Sequence, residues 1–125
     1  MKLLLDTNAL LWLLNDDSRL APAARQIIKD SQEIAVSEVS LWEISIKISI
    51  GKLQSVPELL DTIHDLGFRR LSLSNECLRL YESLPLLHRD PFDRMLVAQA
   101  SVEGISLLTS DTFLKDYGIN VISAG

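Results

Sequence analysis

Lys2-Leu3-Leu4-Leu5-Asp6 is an apolar run far too short for a helix, and it stops abruptly at an acid. Such a run reads as a buried strand that enters a loop or a helix start at its last residue. The same grammar recurs downstream. Glu33-Ile-Ala-Val36 runs into polar Ser37, Phe68 to Leu73 is a third strand candidate, and Ser106 to Thr109 runs into Ser110 and Asp111. Asn120 to Ile122 supplies a fifth, short strand.

Between these strands the pattern turns helical. Ala9 to Leu14 is apolar, and Pro22 sits where a first helical turn accepts proline, ahead of the apolar face Ala24, Ile27 and Ile28. Ser37 can cap a helix running towards Gly51. Within it, Ile44, Ile46, Ile48 and Ile50 alternate with other residues as a strand would, yet the 44/48 and 46/50 pairs also satisfy helical spacing. No turn signal separates Trp42 from Ile44, which favours the helix. Pro57 opens a helix through His64 to Gly67, a further helix covers Asn75 to Ser83, and another runs from Pro91 to Gly104. Strands alternating with helices predict an α/β fold of three layers, a central, mostly parallel sheet flanked by helices, with residues 1–125 as a single domain.

Composition sets the bounds. The 125 residues are 47% hydrophobic and 23% charged, which supports a core without disulfides or a structural metal. Twelve Lys and Arg against 17 Asp and Glu give a net charge of -5, which disfavours coating nucleic acid with basic surface. The lone Cys77 cannot form an internal disulfide, and the longest apolar runs fall well short of the roughly 20 residues of a membrane span. With no cleavable leader visible, a cytoplasmic protein with no membrane partner is expected.

The chemistry is concentrated in acids at element ends: Asp6 after the first strand, Glu43 on the third helix, Asp93 in the first turn of the Pro91 helix, Asp111 after the strand at 106–109, and Asp90 beside them. In open parallel sheets ligand sites form outside the carboxyl ends of the strands, where Asp6 and Asp111 fall. Each acid also has a purely structural explanation. Ser40-Leu-Trp-Glu43 matches a capping box, Asp90-Pro91 matches a helix cap, and Asp93 or Asp111 would complement a helix dipole. Convergence distinguishes the two readings. Carboxylates gathered at one sheet edge repel unless they share protons or bind a hard cation, for which Mg²⁺ or Mn²⁺ suits an all-oxygen donor set. Zinc would want Cys and His at ligand spacing, and the chain has one Cys and two isolated His, His64 and His88.

Four blocks carry a resemblance: Leu3-Leu-Leu-Asp-Thr-Asn-Ala-Leu-Leu-Trp12, Val36-Ser-Glu-Val-Ser-Leu-Trp-Glu-Ile44, His88-Arg-Asp-Pro-Phe-Asp-Arg-Met-Leu-Val-Ala-Gln-Ala100 and Leu108-Thr-Ser-Asp111. Together, in this order, they resemble the PIN-domain family, and within it the VapC-type toxins of bacterial toxin–antitoxin pairs. The resemblance implies a PIN-like fold and carries the family's acidic quartet onto Asp6, Glu43, Asp93 and Asp111. It implies a ribonuclease dependent on Mg²⁺ or Mn²⁺, a cognate antitoxin that blocks the pocket, and a toxin homodimer. Asp90 belongs to the third block as a supporting residue. Asn8 stands where many relatives with this block carry histidine.

On that reading Asp6 and Asp93 contact metal directly, Asp111 directly or through water, and Glu43 binds metal or activates water. Thr7, Asn8, Thr109 and Ser110 would orient the carboxylates. Lys47, Lys52, Arg89 and Arg94 lie near the blocks, where they would meet phosphates of single-stranded or looped RNA. Trp12 and Trp42 sit in apolar stretches and are expected to pack in a core or interface, and Trp12, Leu13, Leu14 and Leu20 form either core or a patch for a partner. Two rivals stand beside the nuclease: a receiver-like, Mg²⁺-binding phosphoacceptor domain, disfavoured because Asp6 has no paired acid, and a non-catalytic PIN-like interaction module, disfavoured by the complete quartet.

Overall fold

A computed structural model describes residues 1–125. Five parallel strands form one sheet: β1 (Lys2–Leu5), β2 (Glu33–Ser37), β3 (Arg69–Leu71), β4 (Ser106–Thr109) and β5 (Val121–Ser123), in the spatial order β3-β2-β1-β4-β5. Helices α1 (Thr7–Leu14), α2 (Pro22–Asp30), α3 (Glu38–Ser49), α4 (Leu59–Asp65), α5 (Asn75–Ser83) and α6 (Pro91–Glu103) connect the strands, and a 3-10 helix spans Thr112–Tyr117. The α/β expectation is borne out. The chain builds outward from β1 in one direction through β2 and β3, then returns to place β4 and β5 on the other side. This reversal puts a switch point between β1 and β4, at whose carboxyl end a crevice opens.

The three central strands, β2, β1 and β4, are buried on both faces, which is why they read as largely apolar runs. Leu3 and Leu5 enter one cluster with Leu10, Leu20, Val36, Ile44 and Ile63, whereas Leu4 enters the opposite one with Leu96, Leu107 and Leu114. The period of two thus divides a single leucine run between two cores. Leu20 belongs to the first cluster, and Trp12, Leu13 and Leu14 pack against it. The core therefore accounts for the stretch weighed as a partner patch.

Local signals fix most boundaries. Ser37 caps α3 by accepting from the Val39 amide at 3.0 Å, and Gly51 at φ 77° follows its end, so the alternating isoleucines lie on a helix. Asp90 caps α6, Pro91 takes its first position, and Gly104 at φ 65° ends it. Four expectations need correction. The helix expected from Pro57 begins only at Leu59, because Glu58 turns left-handed at φ 60° and caps nothing with its side chain. The third strand is trimmed to Arg69–Leu71, and the last is shifted to Val121–Ser123, where pairing with its only neighbour ends it. The capping box at Ser40 is not one: Ser40 lies inside α3, buried, with no partner for its hydroxyl. No helix is long and apolar enough to cross a membrane.

Candidate active site

The ladder between β1 and β4 sets Leu5 beside Leu108, and the Asp6 amide continues it by donating to the Leu108 carbonyl at 2.9 Å. The Asp6 side chain therefore emerges next to Thr109 and Ser110. It is 3% exposed and is met by donors on both oxygens. Oδ1 accepts from the Ala9 amide at 2.7 Å, which caps α1. Oδ2 accepts from Thr109 Oγ1 at 2.7 Å, the Ser110 amide at 2.8 Å and Ser110 Oγ at 3.3 Å. Burial raises the Asp6 pKa, and the bonds from Ala9, Thr109 and Ser110 partly offset that rise.

Three other elements bring acids to this point. Glu43 reaches it from the middle of α3, where its Oε1 accepts from Thr7 Oγ1 at 2.6 Å and its Oε2 lies 3.2 Å from Lys47 Nζ. Asp93 comes from the first turn of α6 and has charges where Asp6 has donors. Burial, then the negative charges of Asp90, Asp6, Glu43 and Asp111, push its pKa up to about 7. Asp90 spends Oδ1 on the Phe92 and Asp93 amides at 2.8 and 3.2 Å. Asp111 follows β4, takes the Phe113 amide on Oδ1 at 3.0 Å, and has His88 Nδ1 3.6 Å from Oδ2. The structural and functional readings of these acids are thus not exclusive. Asp6, Asp90 and Asp111 each cap a helix and each belong to the cluster.

A small, wholly polar cavity of about 110 Å³ lies between Asp6, Glu43, Asp90 and Asp93, walled also by Thr7, Asn8, Lys47 and Ser110. Asp111 borders the cluster from outside that wall. The wider cleft of about 340 Å³ beyond β3, lined by residues such as Arg69, Ser72 and Gln99, contains none of the residues predicted from sequence. The donor set fits a hard divalent cation: its acidic oxygens are in excess of local positive charge, and one carboxyl is driven towards protonation for want of it. In the arrangement seen, no three acids already surround a common point, and Glu43 is engaged by Thr7 and Lys47.

The supporting residues fall into place around the acids. Thr7 holds Glu43, Thr109 and Ser110 hold Asp6, and Asn8 Nδ2 donates to Ser110 Oγ at 3.1 Å. Of the expected phosphate contacts, Lys52 and Arg89 are exposed beside the site, and Lys47 is paired to Glu43. Arg94 is a correction. It turns inward, donates to the Leu84 carbonyl at 3.1 Å and lies 4.7 Å over the Tyr81 ring, so it braces α6 against α5 and is not offered to RNA. Trp12 packs against the core as expected, whereas Trp42 is 62% exposed and is no core residue. Sequence reasoning missed the inward role of Lys47, although its i,i+4 spacing from Glu43 was a readable signal. It also missed Tyr117, whose hydroxyl accepts from the His88 amide at 3.0 Å and so steadies the segment that carries Asp90.

The PIN domain model matches residues 3–120. The chain belongs to the PIN domain family. Among curated proteins it is 29% identical over 121 residues to Ribonuclease VapC22 of Mycobacterium tuberculosis, a match covering 91% of this chain and 90% of that protein. Two solved structures share the fold. VapBC2 from Rickettsia felis, bound to a DNA fragment from their promoter, matches with a TM-score of 0.71 at 18% identity over 100% of both chains. DNA-bound VapBC from Salmonella typhimurium gives 0.69 at 15% identity over 100% of this chain and 99% of that one. Membership in the PIN family bears out the resemblance and sets aside the receiver-like alternative.

Proposed function

We propose that this PIN domain is a metal-dependent endoribonuclease, the toxin of a VapC-type toxin–antitoxin pair. The observation that carries the reading is the gathering of Asp6, Glu43, Asp90 and Asp93 around one polar cavity at the switch point, with the Asp93 pKa driven up to about 7 by burial and then by its acidic neighbours. A cluster that destabilises itself in this way is relieved by a bound cation where it would otherwise take up a proton, and the likeness to Ribonuclease VapC22 supports RNA as the substrate.

Asp6, Asp93 and Asp111 would hold Mg²⁺ or Mn²⁺, with Glu43 either joining them or orienting the attacking water. Such an ion, when bound, polarises a phosphoryl oxygen, lowers the pKa of bound water and neutralises charge on the departing oxygen. The chain's own part is positioning. Thr109 and Ser110 fix the Asp6 carboxylate, and Thr7 fixes the Glu43 carboxylate. Lys47 neutralises Glu43 at rest and stands where a phosphate would arrive. The related VapBC complexes support an antitoxin partner, and the family resemblance has that antitoxin block this pocket and adds a toxin homodimer. A free, buried Cys77 suits the reducing cytoplasm, where the RNA substrate is found.

Incubation of the purified protein with mixed single-stranded RNA tests the reading. Cleavage that chelator abolishes and Mg²⁺ or Mn²⁺ restores is expected; intact RNA under all metal conditions would overturn it.

A further inference from the structure

Beside the acidic cavity, and sharing Glu43 and Asp90 with it, runs a wider groove of about 460 Å³ between the end of α3 and the start of α6. Ile46, Ile50 and Phe92 give it apolar walls, and Lys47, Lys52 and Arg89 line it with positive charge. Trp42 leans on Phe92 with ring centroids 5.4 Å apart at 64°, an edge-to-face contact that leaves the residue 62% exposed. Phe92 is itself anchored on the buried cluster of Val39, Cys77, Met95 and Ala98. The two aromatics are the immediate chain neighbours of Glu43 and Asp93, so helix geometry ties their positions to the acids.

A tryptophan left this far in water forgoes the burial that usually accounts for its place in a protein. Trp12 shows the ordinary outcome, packed on the core with the Arg19 guanidinium 5.2 Å over its ring. The charge in the groove that Phe92 lines, with Trp42 packed on Phe92 at its edge, is equally out of character. In a chain of net charge -5, Lys52 and Arg89 flank the groove without an ion pair between them and any acid. A groove that offers an aromatic ring, Phe92 with exposed Trp42 against it, together with unpaired cations is the chemistry that holds single-stranded nucleic acid, base against ring and phosphate against cation.

We infer that this groove seats an unpaired nucleotide of the RNA next to the scissile phosphate, its base against the Trp42–Phe92 pair and its flanking phosphates at Lys52 and Arg89. The inference rests on the ribonuclease reading and adds a determinant to it: the enzyme requires a base free to leave its stack. A base inside a duplex already has both faces occupied, so paired RNA is excluded at this subsite.

Cleavage kinetics on a short, labelled single-stranded RNA of mixed sequence test it, with wild type, Trp42→Ala and Trp42→Phe compared in Mg²⁺. Trp42→Ala is expected to raise KM about tenfold with a much smaller change in kcat, and Trp42→Phe to recover most of the loss. Binding is read independently in Trp12→Phe/Asp6→Asn, where Trp42 is the sole indole and cleavage is suppressed. The single strand should quench its fluorescence, and the same sequence as a duplex should not. Cleavage by wild type with an unchanged KM in Trp42→Ala would overturn the groove and leave the nuclease standing, whereas absence of metal-dependent cleavage in wild type would overturn both. Sedimentation supplies the last arm. Trp42→Ala should keep the wild-type oligomeric state, and loss of self-association would make this face an interface between copies and overturn the inference.

Discussion

The two sides of the acidic cavity solve opposite problems. On the strand side, Asp6 is nearly inaccessible, yet every part of its carboxylate has a donor, from Ala9, Thr109 and Ser110. On the helix side, Asp93 is less buried, yet its burial is uncompensated by donors and is compounded by the charges of Asp90, Asp6, Glu43 and Asp111, and its pKa climbs to about 7. Burial alone does not make a carboxylate reactive to a cation; the balance of donors and like charges around it does. The strand side is a fixed seat, built by the same bonds that terminate β1 and begin α1. The helix side stores the repulsion that a cation would relieve.

Both halves are needed for catalysis, so the largest expected effect is common to them. Asp6→Asn and Asp93→Asn each preserve size and remove charge, and each should lower metal-dependent RNA cleavage at least about a hundredfold. Initial rates at saturating Mg²⁺ check this, and undiminished turnover by either variant would remove that residue from the metal-binding set.

Stability should separate the halves by sign. Asp6→Ala strips the cap from α1 and leaves the Thr109 hydroxyl buried without its acceptor, at a cost of about 2–3 kcal/mol. Asp93→Asn removes a carboxyl that is surrounded by like charge, and should stabilise the metal-free protein at pH 7.5 by about 1 kcal/mol, roughly 4 °C in Tm for a chain of this length. Thermal unfolding in chelator measures both. Two shifts of the same direction would show that the halves do not differ as described.

The strand side was the more legible half of the sequence, for a physical reason. Leu3 to Leu5 ending at Asp6 and Ser106 to Thr109 running into Ser110 and Asp111 are local patterns, and parallel pairing turns two strand ends into neighbours once the fold class is known. Glu43 and Asp93 were placed by motif resemblance, because nothing in a helix's own periodicity says which residue faces a distant strand end. Trp42 misled for the same reason: within Val39-Ser-Leu-Trp-Glu43 it looks like a core position, but Val39 and Leu41 are buried and Trp42, the next residue, is turned outward. Arg94 was misread because its partner Tyr81 is supplied by another helix, α5. Boundaries at Glu58 and β3 were lost to a left-handed turn and to the brevity of an edge strand, neither of which leaves a clear local signature.

A smaller effect bears on how rigid the seats must be. Thr7 touches no reacting group and acts only through Glu43, by the 2.6 Å bond from its hydroxyl. Thr7→Val should lower kcat about tenfold with KM little changed, and Thr7→Ser, which keeps the hydroxyl, should restore most of it. Equal losses in both variants would assign Thr7 to packing instead of positioning.

The finest test is the pH dependence of the metal-free protein. Asp93 titrates at about 7 when folded and, as an ordinary aspartate, at about 3.9 when unfolded, so between those values the folded state binds more protons. Its contribution to stability is therefore complete at the acid end of that window and is lost as pH rises towards 7. The raised pKa of Asp6 acts in the same direction. Asp17, held down to about 2 by its hydrogen bonds from Arg19, has the opposite sign but titrates below the window and does not interfere. Tm in chelator should accordingly decline from pH 5 to pH 8, and the decline should shrink in Asp93→Asn. Added Mg²⁺ competes with the proton for the same oxygens, so the Tm increment it gives should grow over the same range. An increment that is flat with pH would mean the cation is bound away from Asp93, and the helix side would lose its claim to be the half that needs the ion.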